Sequence, residues 1–190
     1  MDSPAKTFNE IKFAIENDIS LNIDNFQELE RVKSVLNDNK ESKSVIGIRI
    51  NPQVGEGALS GLSTGTKTSK FGIAYDDYQK EILDILVNLP FLHMLHCHVG
   101  SQGCDFSLMT AGIRKIVGLA KAVNSQVGFK KITTINIGGG LPVNFASEQT
   151  LPTFEQYSKI LQQSGWFPRF VFSPLLPVPF FCLIIILSSS

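Results

Sequence analysis

The sequence predicts an α/β fold in which a parallel sheet is covered by helices, and three observations carry that prediction. Segments of helical period alternate with short apolar runs along most of the chain. Those runs are rich in Val, Ile and Leu, as buried parallel strands are. Each run gives way to a polar or glycine-rich loop before the next helix. Alternation of this kind means βα units, wound either as an open, doubly wound sheet or as a barrel.

Thr7-Phe8-Asn9-Glu10 has the spacing of a capping box, and Phe8, Ile11 and Ile15 fall on one face of the helix it opens, over residues 7–16. Residues 20–23 read as a strand, and Asn25 with Glu28 caps a second helix that carries Phe26, Leu29, Val32 and Leu36. Residues 45–50, bounded by Ser44 and Asn51-Pro52, read as a buried strand. Residues 54–69 are dominated by Gly, Ser and Thr, which cannot support a core, and read as an active-site loop. A helix over 76–89, a strand over 91–99, and a helix with Ile113, Ile116, Val117 and Ala120 on one face follow. A strand over 131–137, the loop Gly138-Gly139-Gly140 and a helix over 153–163 complete the series.

These strands are too few for a closed barrel, which needs eight and about 250 residues. The expectation is therefore a partial (β/α)8 barrel over residues 1–168, truncated at both ends, whose inward-facing Val, Ile and Leu layers lack opposite strands and make for poor solubility. Residues 170–187 are almost wholly apolar, and Pro174, Pro177 and Pro179 leave a pattern that fits neither helix nor strand. The uninterrupted part falls well short of the roughly 20 residues of a spanning helix, so 169–190 reads as a divergent tail, non-native or disordered, rather than a membrane anchor.

Seventeen basic side chains balance seventeen acidic ones, and no Lys/Arg block stands out, which argues against nucleic acid or an anionic membrane as partner. Small-molecule chemistry is the better fit. Cys97, Cys104 and Cys182 are too few for a disulfide framework, so a reducing compartment is expected, cytoplasmic or organellar.

Two places carry chemistry. Gly138-Gly139-Gly140 directly follows a strand, where freely orientable N–H groups bind anions; the glycines alone are equally a tight turn. His96 and His98 share a face of their strand. They could stack on a ring, or join Cys104 in a zinc site, although a second ligand pair at zinc spacing is missing and no metal is expected.

Four separated blocks resemble the fold-type III pyridoxal-phosphate decarboxylases, the group of ornithine, diaminopimelate and arginine decarboxylases. They are Asp2-Ser3-Pro4-Ala5-Lys6-Thr7; Arg49-Ile50-Asn51-Pro52 leading to Ser69-Lys70-Phe71-Gly72; His96-Cys97-His98-Val99-Gly100-Ser101-Gln102; and Ile137-Gly138-Gly139-Gly140-Leu141-Pro142. The resemblance implies an alanine-racemase-like barrel, pyridoxal 5'-phosphate as cofactor, and an amino acid as substrate. By the same resemblance His98 stacks on the pyridine ring, while Ser101 and the backbone of Gly138, Gly139 and Gly140 hold the phosphate. Arg49 and Lys70 are placed at the active-site mouth or the interface of a homodimer formed by the full-length parent.

The Ser-Gln after His-Val-Gly and Asn136 ahead of the glycines look most like the diaminopimelate branch, with ornithine or arginine as the next substrates. The family's Schiff-base lysine lies upstream of the first block, so Lys6 is not that lysine. The acid facing the ring nitrogen lies in a Glu-x-Gly-Arg-like stretch where this chain reads Arg169-Phe170-Val171-Phe172-Ser173. The expectation is decarboxylation by the parent enzyme, with this chain inactive alone. A catalytically dead fragment or non-catalytic regulatory relative is the alternative, and an unrelated phosphate-binding α/β protein the third reading.

Overall fold

The first helix, α1 (Phe8–Glu16), starts where its capping box puts it. In a computed structural model of the chain, which describes residues 1–55, 69–99, 106–139, 153–163, 169–171 and 184–186, the Glu10 N–H donates to Thr7 Oγ1 at 3.3 Å. The Thr7 N–H donates to the Glu10 carboxylate at 2.7 Å, so two amides that a helix start leaves orphaned are satisfied. Ile11 and Ile15 are fully buried, while Phe8 on the preceding turn stays half exposed. β1 (Leu21–Ile23) leads into α2 (Phe26–Asp38), whose cap is the Glu28 N–H donating to Asn25 Oδ1 at 2.9 Å. The Glu28 side chain does not close a box on Asn25. It reaches one residue further back, to the Asp24 N–H at 2.7 Å, because Lys6 holds it there.

The remaining elements follow the expected alternation: β2 (Ile46–Asn51), the two-residue β3 (Ile73–Ala74), α3 (Gln79–Asn88), β4 (Leu92–His96), α4 (Phe106–Val127), β5 (Thr134–Asn136) and α5 (Phe154–Gln163). β3 brings the chain back beside the end of β2.

Strand order decides between the two windings that the sequence leaves open. β1, β2, β4 and β5 are all parallel and lie side by side in chain order, with no reversal. A doubly wound sheet must reverse at a switch point, whereas right-handed crossovers that keep advancing put every helix on one side, as in a barrel.

Register then sorts the side chains. Asn22 stands opposite Gly47, Gly47 opposite Met94, and Met94 opposite Thr134; further along, Arg49 stands opposite His96, and His96 opposite Asn136. Partners in register share a face and successive residues alternate, so these side chains line the face away from the helices. A Cβ on Gly47 would lie 2.5 Å from Asn22 Oδ1 and 2.9 Å from Met94 Cβ, as a shared face requires. The alternate residues, Leu21, Ile23, Ile46, Ile48, Leu95 and Ile135, join Ile11, Val32, Ile82, Leu86, Ile116 and Val123 of the helices in one buried cluster. Full burial of one such side chain contributes about 1.5–3 kcal/mol.

The expectation that Val, Ile and Leu face inward is thereby corrected. The branched side chains face the helices, and the opposite face is polar apart from Met94. Of the tail, residues 169–171 and 184–186 are described. β7 (Ile184–Ile186) pairs antiparallel with β5, and β6 (Arg169–Val171) pairs with β7. A β-branched run is well suited to close what would otherwise be an unpaired edge on β5. Among the described residues no helix is long and apolar enough to cross a membrane.

Candidate functional site

Parallel strands all end on the same edge of the sheet, and there the chain gathers His96, His98 and its glycine turn. Gly138, two residues past Asn136 at the end of β5, has φ +69°, a left-handed conformation that favours glycine. Its hypothetical Cβ would sit 2.6 Å from His98 Nδ1, so the close approach of turn and imidazole needs the missing side chain. Asn136 closes the turn, its Oδ1 accepting the Gly138 N–H at 2.9 Å. The Gly139 N–H points at His98 Nδ1 across a long 3.5 Å. His98 itself is half-buried.

A layer of charge lies across the strand ends. The buried Arg49 guanidinium is 3.7 Å from Asp24 and stands 5.0 Å from the centre of the Phe71 ring. Asp24 also accepts the Gly72 N–H at 3.2 Å, which ties the segment after the long polar loop to β1. Burial raises the Asp24 carboxyl above its ordinary value, against the pull of the Gly72 amide and Arg49. Beneath the Asp2–Lys6 segment, Lys6 Nζ pairs with Glu28 at 3.0 Å, the two side chains being 0% and 2% exposed.

His96 is fully buried between two oxygens. Nδ1 is 3.1 Å from the Asn136 carbonyl, and Nε2 is 3.1 Å from Asp2 Oδ2, the latter aligned for charge attraction rather than for a straight hydrogen bond. Burial opposes ionisation of Asp2, but contact with His96 and the positive charges of His96, Arg49 and Lys6 outweigh it and hold the carboxyl at about 2.

The profile of the family described as "Pyridoxal-dependent decarboxylase, pyridoxal binding domain" matches residues 1–166. The chain belongs to this family. Diaminopimelate decarboxylase of Aquifex aeolicus is 32% identical over 160 residues, which are 83% of this chain and 37% of the relative. Diaminopimelate decarboxylase of Zymomonas mobilis is 30% identical over 179 residues, 89% of this chain and 41% of the relative. The crystal structure of diaminopimelate decarboxylase from M. jannaschii in co-complex with L-lysine superimposes with a TM-score of 0.71 at 26% identity, covering 86% of this chain and 38% of that one. The chain thus spans about two fifths of the length of the relatives it matches. The partial barrel read from its strand alternation is that family's N-terminal barrel domain.

Of the residues singled out in the sequence, His98, Gly138 and Gly139 come together at adjacent strand ends, while Ser101, Gly140 and most of the loop over 54–69 lie outside the described residues. Arg49 is buried on the polar face and engaged by Asp24 and Phe71. Lys70 is exposed, its ammonium 5.3 Å from the Phe71 ring centre. His93 meets the Lys131 carbonyl at 3.1 Å, at an exposed position. Of the zinc alternative's residues, Cys104 lies outside the described residues, and His96 Nδ1 is turned to the Asn136 carbonyl.

Asp2, Asp24 and Asn136 take part in the site without having been picked out as site residues. For Asp24 and Asn136 a signal was available: polar residues stand two apart towards the ends of apolar runs, as in Asn22/Asp24 and Thr134/Asn136. The site suits a phosphorylated aromatic ring. A half-buried imidazole offers a stacking face, and the turn against it offers the Gly139 N–H, whereas the Gly138 N–H is committed to Asn136.

Proposed function

We propose that this chain forms the pyridoxal-phosphate-binding part of a decarboxylase acting on a diamino or basic amino acid, diaminopimelate first, with ornithine and arginine next. One observation carries the reading: His98 packs against the Gly138–Gly139 turn where two adjacent parallel strands end, the edge at which barrels of this kind place their chemistry. In this reading His98 stacks on the pyridine ring, and the Gly139 and Gly140 amides with the Ser101 hydroxyl hold the phosphate. Gly138 serves by its conformation. Arg49 keeps a positive charge at the strand ends, and Lys70 faces outward toward the mouth or a second copy of the full-length protein. The bound cofactor supplies the electron sink that loss of CO2 requires. The residues of this chain fix the ring's plane and anchor its phosphate end. Residues 1–168 make up the barrel part, and 169–190 are an addition to it.

The names of the relatives support diaminopimelate as first substrate, and a cytoplasmic setting suits the free, buried Cys97.

Titration of the protein with pyridoxal phosphate, followed by fluorescence, tests the proposal. Saturable binding is expected, weakened about tenfold in His98→Ala, the equivalent of one lost stacking contact of roughly 1–1.5 kcal/mol. Absence of saturable binding, or wild-type affinity in His98→Ala, refutes it. Release of labelled CO2 from diaminopimelate, ornithine or arginine separates catalysis from binding alone.

A further inference from the structure

The roles proposed above leave unexplained why a fully buried histidine stands one layer below the glycine turn. His96 occupies the middle of the row Arg49, His96, Asn136. Its Nδ1 lies 3.1 Å from the carbonyl oxygen of Asn136, which can only accept, so Nδ1 carries a proton. Its Nε2 lies 3.1 Å from a carboxylate oxygen of Asp2. The ring is thus held between the first residues of the chain and the main chain of β5.

The other charges on this face are Arg49 with its partner Asp24, and Lys6 with its partner Glu28. Asp2 is thus the counter-charge that lies directly against His96. The thiol next in sequence, Cys97, belongs to the helix-side core.

We propose that His96, held between Asp2 and the main chain of β5, is a positioning residue that sets the glycine turn on which the proposed cofactor reading rests. The link runs through Asn136. Its carbonyl receives the His96 ring and, at 2.9 Å, the Cys97 N–H of the β4–β5 ladder, while its side chain holds the Gly138 N–H. Gly138 in turn lies against His98. Removing His96 therefore leaves the ladder bond in place but frees the residue that shapes the turn. The expected consequence is a looser turn within an intact sheet.

Two measurements on the full chain test this. In the cofactor-free protein, hydrogen exchange at the Gly138 and Gly139 amides should accelerate about tenfold in His96→Gln and in Asp2→Asn, with no comparable change at the β1 and β2 amides. In titrations, the ratio of pyridoxal-phosphate to pyridoxal affinity should fall about tenfold in His96→Gln, because the turn serves the phosphate end. A purely structural role would lower both affinities alike. Asp2→Asn combined with His96→Gln should add little to His96→Gln alone. Unchanged exchange at Gly138 and Gly139 in His96→Gln overturns the positioning role whether or not the protein binds pyridoxal phosphate. An unchanged affinity ratio, with the wild type binding normally, overturns it as well. Failure of the wild type to bind, with exchange accelerated as expected, refutes the cofactor reading and leaves the turn-setting role standing.

Discussion

Lys6 and Glu28 form an ion pair shut away from water, and breaking it from one side should be among the most damaging single changes in the chain. The ammonium and carboxylate are 3.0 Å apart with side chains 0% and 2% exposed, so neither charge can recover hydration if its partner goes. Removing one member of such a pair costs about 3–5 kcal/mol, because the cost is that of a stranded charge rather than of a lost contact. Lys6→Met keeps the length of the side chain and strands Glu28. Glu28→Gln strands Lys6, left with the Ser3 carbonyl, but keeps an oxygen for the Asp24 N–H, which Glu28 accepts at 2.7 Å. In the double variant no charge is buried and the Asp24 amide is still satisfied, so stability should return to within about 1–2 kcal/mol of wild type. Urea denaturation followed by far-ultraviolet circular dichroism, read as a double-mutant cycle, measures this directly. A Lys6→Met cost below about 1 kcal/mol, or a double variant no more stable than the worse single one, would refute the argument.

Two further perturbations follow from the same layer. Gly47→Ala places a methyl 2.5 Å from Asn22 Oδ1 and 2.9 Å from Met94, and should cost about 1–3 kcal/mol as an overpacked site, partly recovered by Met94→Ala; a neutral Gly47→Ala in urea denaturation would contradict the shared face. Asp2 has its carboxyl lowered from 3.8 to about 2, so its stabilising contribution is complete above the unfolded value and is lost as pH falls from about 4 through 2. With the side chain 36% exposed and screened by solvent, the loss should come to about 1–2 kcal/mol. Asp24, whose carboxyl is raised, responds in the opposite sense, so the test is the difference between wild type and Asp2→Asn across that range, which should shrink toward acid.

The parallel strands, the helices between them and the glycine turn were legible because each is written locally: in the Thr7/Glu10 box, in runs such as 45–50, and in three consecutive glycines. What escaped was written at a distance. The contact of Asp2 with His96 joins the first residues to the fourth strand, and only the register of β1, β2 and β4 reveals that the two share a face. Runs read as apolar concealed a polar alternation, because Arg49 and His96 stand inside runs whose apolar residues dominate the pattern. The pairing of β7 with β5 escaped for another reason: three isoleucines beyond a proline-rich stretch name no partner until an open edge is available.

The two-sided sheet has a consequence for how such a chain can change over time. The apolar core is carried by one set of positions, Leu21, Ile23, Ile46, Ile48, Leu95 and Ile135, and the polar face by the residues interleaved with them. A lineage can therefore revise what the strands recognise by drifting at every second position, while the interleaved ones keep the helices in place. The two kinds of change occupy the same strands yet seldom have to be made together.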